Sequence, residues 1–341
     1  MKAAVYYSQQ DIQIEELPMP KLDEDEVLVE MKACGVCGSD LMDWYLKSRA
    51  PLVLGHEPAG VIAEKGSKVR GFKVGDRVFV HHHVACLTCH YCKHGDYTLC
   101  EQFHNTNIKP GGFAEYFKAP FKNLQLDTLM LPQTVTFEEA TLIEPVGCCL
   151  RAIRKSNIQT GDSVAVIGAG ATGIIHVGLS KIFGAAKTIV SDLFDFLLTV
   201  AKKFGADVLV NPEREDLDSI VKAETGGVGV DVAVVTAPSL DAYKSGMRIC
   251  RKGGRLIVFA PTASGKYLEV SPKELFFSEV QIIPSYSTSH LETREALDLI
   301  ASGRLNVKVL ITHRFRLADT AKAFKTALGS KESLKVIVLN K

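Results

Sequence analysis

Four cysteines crowd into one short segment of this chain. The segment "VACLTCHYCKHGDYTLC", residues 84–100, contains four of the nine cysteines. They are Cys86, Cys89, Cys92 and Cys100. Four thiolates at such spacing close a tetrahedral shell around zinc and leave no position for a substrate. The spacing therefore predicts a structural zinc in a lobe spanning residues 84–101, with an iron–sulfur cluster as the alternative.

A second pair of metal-ligand types lies upstream. Cys37 occurs in "CGVCGSD" and His56 in "LGHEPAG". A thiolate and an imidazole both suit zinc, but they are nineteen residues apart, so a shared site requires tertiary folding. On residue type alone, a small buried cysteine and a hydrogen-bonded core histidine are the simpler interpretation.

A glycine motif indicates nucleotide chemistry. The strand-like run "DSVAVI" leads into "GAGATG", and a helical pattern follows, so that Gly168, Gly170 and Gly173 stand in the GxGxxG register. Such glycines permit a tight turn, close approach of a pyrophosphate and close packing of helix on strand. Thr172, within the motif, is a further candidate for cofactor contact. The motif predicts a dinucleotide site.

An acidic residue suggests which dinucleotide binds. Asp192 ends the next strand-like run, nineteen residues after Gly173, where a carboxylate would accept hydrogen bonds from an adenosine ribose. No Lys or Arg occurs between Asp192 and Lys202, and a carboxylate repels a 2′-phosphate. We therefore expect NAD rather than NADP.

Two patterns of elements must position these residues. The first 150 residues or so read as short strands punctuated by glycines, which favours a barrel-like β domain. From about residue 160, six buried strand runs alternate with mostly helical segments, which is typical of a doubly wound parallel sheet. The fold class is α/β, and the two patterns meet around residues 154–162.

Composition excludes several classes of function. There are 40 basic and 39 acidic residues, so the net charge of +1 gives no electrostatic reason to bind nucleic acid. The start of the chain lacks the apolar core of a signal peptide, and the most apolar region is broken by His176, Lys181 and glycines. We expect a soluble cytoplasmic protein without membrane contact.

The ordered motifs resemble those of a known family. "CGVCGSD", "GHEPAGVIAEKGSKV", "ACLTCHYCKHGDYTLC", "GGFAEY", "LIEPVG" and "GAGATG" follow the order found in the zinc-containing medium-chain alcohol dehydrogenases. The chain looks most like the sorbitol (polyol) and L-threonine dehydrogenase branch. The resemblance implies a GroES-like catalytic domain, residues 1–153 and 286–341, with a Rossmann NAD-binding domain, 154–285, inserted into it. It also implies a homo-oligomer, a tetramer or a dimer.

By motif match, the resemblance implies a catalytic zinc and a reaction. Cys37, His56 and Glu144 would surround this second zinc, with Glu57 a direct or alternate ligand. Cys148, one helical turn after Glu144, is a further candidate ligand. The metal would lower the pKa of a substrate hydroxyl, the carbinol carbon would give a hydride to NAD, and Ser39 would relay the proton or cap the following helix.

Departures from the family pattern restrict the substrate assignment. Met42 replaces a histidine found in many relatives, so the proton route must use other groups or water. Leu197 stands where threonine dehydrogenases have an arginine, which further favours NAD over NADP. Ser285 and Tyr286, candidates for cofactor contact, replace the Arg-Tyr pair that faces the polyol in sorbitol dehydrogenases. Sorbitol itself is therefore a weaker candidate.

The remaining histidines and two rival functions complete the expectations. The "HHH" run at 81–83 is interpreted as surface or domain-interface histidines rather than a third metal site. The best-supported function is a zinc-dependent, NAD-dependent dehydrogenase of a small-molecule secondary alcohol or polyol. The rivals are a zinc-independent quinone or enone reductase on the same fold and a zinc-lobe binding protein without catalysis.

Overall fold

The computed structural model describes residues 1–340. Its strands are β1 Lys2–Ser8, β2 Asp11–Glu16, β3 Val27–Gly35, β4 Leu52–Val53, β5 Glu57–Lys65, β6 Arg77–Val80, β7 Tyr116–Ala119, β8 Thr128–Met130, β9 Ser163–Ile167, β10 Lys187–Ser191, β11 Val208–Val210, β12 Val230–Val235, β13 Cys250–Val258, β14 Gln281–Pro284, β15 Ile311–Arg316 and β16 Lys335–Leu339.

Apart from α6, the helices in the first half of the chain have seven residues or fewer, and those in the second half have seven or more. They are α1 Asp43–Leu46, α2 His90–Lys93, α3 Glu101–Asn105, α4 Phe121–Asp127, α5 Phe137–Ala140, α6 Ile143–Ser156, α7 Ala171–Ile182, α8 Asp195–Lys203, α9 Leu217–Glu224, α10 Leu240–Ile249, α11 Pro272–Ser278, α12 His290–Ala301 and α13 Thr320–Gly329. Short 3₁₀ turns occur at Gly38–Leu41, Lys47–Arg49, Tyr97–Leu99, Val307–Leu310 and Leu317–Asp319. Within residues 1–340, no helix has the length and apolar character that crossing a bilayer would require.

The chain divides into two compact units. The first comprises residues 1–147 and 288–341, and the second comprises residues 148–287. The sequence-based boundaries at 153/154 and 285/286 differ from these by a few residues. The first division falls inside α6, where a continuous helix offers no composition change that a reading of the sequence could detect.

The first unit is built from antiparallel β-structure. Its larger sheet has the order β15-β16-β3-β5-β6-β8, with β7 also paired to β3, and a three-stranded sheet has the order β2-β1-β4. The C-terminal strand β16 pairs antiparallel with β3, so the end of the chain completes the first unit's sheet. Inward-facing Val29, Met31, Ile62, Phe117 and Phe324 form the centre of its apolar core.

The second unit is a six-stranded parallel sheet in the order β11-β10-β9-β12-β13-β14. All six strands arise from the runs identified in the sequence, and the prediction of a doubly wound sheet is confirmed. The strand order reverses between β9 and β12, both of which are almost wholly buried. In open α/β sheets a ligand binds beyond the carboxyl ends of the strands at such a switch point.

Candidate functional site

The four lobe cysteines come together in the first unit. Their sulfur atoms all lie within 4.8 Å of one another. The Sγ atoms of Cys86 and Cys92 are 3.9 Å apart, and those of Cys89 and Cys92 are 3.6 Å apart. For Zn–S bonds of about 2.3 Å, a tetrahedron has sulfur–sulfur edges of about 3.8 Å. All nine cysteines are free thiols, so the cluster is not a disulfide knot.

Electrostatics of the lobe favour a bound cation. Hydrogen bonds from the hydroxyl and N–H of Thr88 and the N–H of Cys89 lower the pKa of Cys86 to about 5. Burial, with the neighbouring thiols Cys89 and Cys100, raises the pKa of Cys92 to about 12. Four crowded sulfurs can all ionise only when a positive charge compensates them, which is what a zinc ion does. The donor set therefore fits zinc.

A second ligand cluster is assembled by tertiary folding. Ligand atoms of Cys37, His56 and Glu57 lie within 4.8 Å of one another, although Cys37 follows β3 and Glu57 begins β5. Strand β3 pairs antiparallel with β5, and the Gly35–Glu57 register brings the two strand ends side by side. A thiolate, an imidazole and a carboxylate form a zinc-type donor set with room for a further ligand.

Asp40 holds the second cluster in place. Its Oδ2 accepts the backbone N–H of Cys37 at 3.0 Å, and its Oδ1 lies 3.3 Å from Nδ1 of His56. A carboxylate behind a ligating imidazole fixes the ring's orientation. Burial lowers the pKa of His56, but Asp40 and Cys37 outweigh this and raise the pKa well above its usual value. The Gly38–Leu41 turn is capped by Cys37 and Asp40, so Ser39 does not act as its cap.

Glu57 has a partner that the sequence analysis missed. Its fully buried carboxylate forms an ion pair with Lys335, the first residue of β16, whose Nζ also donates to the Val36 carbonyl at 3.2 Å. Gly35 makes space for the pair, because a Cβ there would collide with the Glu57 carboxylate and lie 2.7 Å from Cε of Lys335. The only sequence feature that could have indicated a buried ion pair is the single lysine at the start of the apolar run "KVIVL".

The buried carboxylate keeps one oxygen available. Burial raises the pKa of Glu57, while Lys335 and His56 oppose the shift. Its Oε1 is shielded from water and has no hydrogen-bond partner within residues 1–340. A buried polar atom without a partner costs free energy, and a metal ion would satisfy it. The second cluster therefore also fits a zinc ion.

Glu144 lies near the cluster without joining its compact group. It sits in the first turn of α6, is 5% exposed, and its negative charge raises the pKa of both Glu57 and Lys335. Pro145 follows it inside the same turn, as the sequence analysis expected. Neither Glu144 nor half-buried Cys148 belongs to either group of potential metal ligands in residues 1–340.

The three adjacent histidines differ from their sequence interpretation. They follow the end of β6, and His81 is fully buried, so the surface interpretation is wrong for it. Its Nδ1 lies 2.8 Å from Oδ2 of Asp127, whose Oδ1 accepts from the hydroxyl of Thr293 at 2.6 Å. The buried carboxylate satisfies a histidine that would otherwise be expected at the surface. His82 has its ring centre 4.9 Å from that of His56.

The glycine motif of the second unit forms a tight turn after β9. Gly168 has φ +103°, and Gly170 is the N-cap of α7 with open space where a Cβ would project. A Cβ on Gly173 would clash with the carbonyl oxygen of Gly168 and lie 3.0 Å from Oγ1 of Thr236. The three glycines thus form a tight turn that leads directly into the N-terminus of the twelve-residue helix α7.

Two neighbours of this turn, Thr236 and His176, were not predicted to contact it. Thr236, which follows β12 at the switch point, donates its hydroxyl to the Gly168 carbonyl at 2.7 Å. Buried His176 in α7 has Nδ1 2.7 Å from the carbonyl oxygen of Thr172, and burial lowers the pKa of His176 to about 4. Both side chains brace the turn, and neither belongs to the glycine motif that revealed it.

Asp192 lies directly beside the glycine turn. Its Oδ2 accepts the N–H of Ala169 at 2.7 Å and its Oδ1 accepts the N–H of Phe194 at 2.9 Å. A cation also lies in this region: Arg214, from the segment after β11, pairs with Asp195 at 2.5 Å. Arg214 lies beyond the stretch from Asp192 to Lys202, which contains no basic residue before Lys202. The charge of Arg214 is offset by Asp195.

The remaining predicted residues have varied environments. Ser285, just after β14, is buried, and its hydroxyl has no partner in the part of the chain described. Tyr286 is about half exposed. Leu197 is buried in α8, where it packs as an ordinary apolar residue. Met42 ends the turn that contains Ser39.

Two family models match this chain. The alcohol dehydrogenase GroES-like domain matches residues 23–133, and the zinc-binding dehydrogenase domain matches residues 171–302. The first match contains every residue of both cysteine-bearing clusters. The second begins at the first residue of α7, within the glycine motif.

Named relatives extend over almost the whole chain. Sorbitol dehydrogenase of Bacillus subtilis is 36% identical over 99% of this chain and 97% of its own length. The crystal structure of 2R,3R-butanediol dehydrogenase from Bacillus subtilis has a TM-score of 0.87 at 27% identity, covering 100% of this chain and 99% of that one. A zinc-binding dehydrogenase from Sinorhizobium meliloti, solved with NADP bound, has a TM-score of 0.88 at 28% identity, covering 99% and 98%.

Proposed function

Because this chain belongs to the zinc-binding dehydrogenases of the alcohol dehydrogenase family, we propose that it oxidises a small secondary alcohol, diol or polyol with NAD. As a member of that family it is an oxidoreductase of alcohols or polyols that uses a nicotinamide cofactor. The proposed site is built on Cys37, His56 and Glu57. The cluster supports this reaction because its three donors converge while one carboxylate oxygen stays unpartnered.

Each residue of the cluster has a definable task. A zinc ion held there would act as a Lewis acid toward the substrate hydroxyl. Cys37 and His56 would hold the metal, and Asp40 orients the His56 ring. Glu57 or Glu144 would be the further ligand, or the two carboxylates would replace each other at the metal. Ser39, free of any capping duty, would relay the proton of the substrate hydroxyl by accepting it and passing its own hydroxyl proton to water. A bound nicotinamide would supply the hydride acceptor for the carbinol carbon.

The lobe cysteines would hold a second zinc with a structural role. Four sulfurs complete the shell, so no position is left for a substrate. The lobe's apolar cluster contains only Ala85, Cys92, Cys100 and Phe103 as fully buried members. Metal binding would supply the folding free energy that so small a core cannot.

We assign NAD as the preferred cofactor. Asp192 would accept hydrogen bonds from the ribose hydroxyls beside the turn formed by Gly168, Gly170 and Gly173, and Thr172, Ser285 and Tyr286 would add further contacts. A carboxylate at this position repels a 2′-phosphate. Arg214 is the nearby cation that could favour NADP, but its guanidinium is paired with Asp195.

The two rival functions fit the clusters less well. A zinc-independent quinone or enone reductase needs neither the lobe nor the Cys37, His56 and Glu57 cluster. A non-catalytic zinc-lobe protein would leave the second cluster and the glycine turn without a purpose. A reducing compartment such as the cytoplasm suits a protein whose nine cysteines are all free thiols.

The deciding experiment is a substrate panel with metal controls. Sugar alcohols, butanediols and L-threonine would be tested with NAD, following NADH absorbance. Removal of zinc by a chelator, and Cys37→Ser, should each lower turnover at least about 100-fold. Glu144→Ala would report on the fourth ligand. Full turnover after verified loss of both zinc ions would refute the zinc-dependent reaction while leaving the fold intact.

A further inference from the structure

His82 presents a polar ring beside the candidate metal ligands that the proposed chemistry does not use. Its ring centre lies 4.9 Å from that of His56, with the two planes tilted by 48°. Its Nδ1 is shielded from water and has no hydrogen-bond partner within residues 1–340. Nearly all buried polar atoms are paired, so this nitrogen calls for a partner from outside the chain.

The neighbourhood holds His82 in a fixed place. The side-chain amide of fully buried Asn123 donates to the carbonyls of His81 and His82, at 2.9 and 2.7 Å. The His83 ring lies 3.9 Å from the His82 ring and is itself anchored by a 2.5 Å contact from Nδ1 to the Thr106 carbonyl oxygen. The backbone of His82 is thus held by Asn123 and its ring packs against that of His83, which preorganises the side chain to bind a ligand.

The chemistry of the ring limits what it can recognise. The ring nitrogens of an imidazole can donate a hydrogen bond to a hydroxyl or accept one from it.

We propose that His82 is a specificity-determining residue whose ring hydrogen-bonds a second hydroxyl of the substrate, adjacent to the carbinol being oxidised. The inference rests on the proposed function, because the reacting hydroxyl must bind at the Cys37, His56 and Glu57 cluster. It selects diols and polyols over monohydric alcohols of the same length.

The test compares matched substrates and matched variants. The ratio of kcat/KM for 2,3-butanediol to that for 2-butanol would be measured in the zinc-loaded wild type, His82→Phe and His82→Gln. His82→Phe should lower this ratio about 10-fold or more, mostly through KM, and His82→Gln should restore part of it because an amide both donates and accepts. His313→Phe, a half-buried histidine in β15, is the control and should leave the ratio unchanged.

Further measurements separate the possible failures. Zinc content per chain identifies a variant that has merely lost metal, and calorimetric titration with the diol reports binding without turnover. If wild type oxidises neither alcohol but His82→Phe weakens diol binding about 10-fold, the hydroxyl contact at His82 stands and the proposed reaction falls. If both alcohols are oxidised and His82→Phe leaves the ratio and diol binding unchanged at normal zinc content, the inference is overturned.

Discussion

At the scale of single residues, the Glu57–Lys335 pair makes a sharp energetic prediction. The two side chains are 0% and 5% exposed, so removing one partner leaves a buried charge uncompensated. Lys335→Met should lower the free energy of unfolding by about 3 kcal/mol or more, measured by urea titration of the metal-free protein. The double variant with Glu57→Gln should recover much of the loss, because it removes the orphaned charge.

An exposed pair supplies the control for Lys335. Lys322 and Asp319 lie 2.7 Å apart on α13 and its preceding turn, and the lysine side chain is 74% exposed. Surface ion pairs contribute about 1 kcal/mol or less, so Lys322→Met should change the unfolding free energy little. Equal losses in Lys335→Met and Lys322→Met would contradict the buried-pair account.

Asp192 provides a second test at this scale. Asp192→Asn keeps a side-chain acceptor for the N–H of Ala169 or Phe194 but removes the charge that would repel a 2′-phosphate. The preference for NAD over NADP, taken as a ratio of kcat/KM values, should fall about 10-fold or more. Asp207 also accepts a backbone N–H, from Thr188 near the start of β10, so Asp207→Asn is the matched control. A ratio that moves equally in both variants would argue against the ribose role.

The sequence predicted the types of the site residues better than their partners. Cys37 and His56 were candidates because their side chains are ligand types, and the register between β3 and β5 then brings them together. The pairing of Lys335 with Glu57 could not be predicted, because the two residues are more than 270 positions apart and no local pattern indicates an ion pair across strands. The burial of His81 could not be predicted because it depends on Asp127, which lies at the end of helix α4.

At the scale of elements, the lobe should behave as a metal-dependent unit. Its short helix α2 and its turns pack on few apolar side chains, so the four sulfurs must supply most of the cohesion. Cys92→Ser should lower the zinc content from about two to about one per chain and speed proteolysis within residues 84–101 about 10-fold or more. Elemental analysis and mass spectrometry of a timed trypsin digest would measure both.

Cys250→Ser is the matched control for the lobe. Cys250 is half-buried at the start of β13 and belongs to neither ligand group, so its zinc content and cleavage pattern should match wild type. If Cys92→Ser retained two zinc ions and resisted trypsin, the lobe would not depend on its metal.

Elements were predictable where periodicity was strong. The six strands of the second unit are three to nine residues long, and each contains a short apolar run of the kind that a parallel sheet favours. The first unit's strand pairing could not be predicted, since the largest sheet joins β3 to β16 across some 300 residues of sequence. Such non-local pairing depends on packing that no local run encodes.

At the scale of the whole molecule, the free edge of the second unit's sheet should determine assembly. Strand β14 is the last in the sheet order and pairs only with β13, so its outer backbone groups need a partner. The preceding helix α11 exposes Phe276 and Phe277, which are 75% and 69% exposed. A second copy of this chain can satisfy both needs through a two-fold axis that pairs β14 with its own copy.

We therefore expect a homo-oligomer, a dimer or a tetramer, that depends on this edge. The double variant Phe276→Glu/Phe277→Glu places two charges where two apolar rings would be buried, so it should shift the sedimentation coefficient toward the monomer at micromolar concentration. Val228, 63% exposed in the loop before β12, is the control, because Val228→Glu adds charge away from the edge. A wild-type protein that sediments as a monomer, or a double variant that stays assembled, would exclude this edge as the interface. In the expected two-fold contact, the pairing of β14 and the burial of the two phenylalanines occur together.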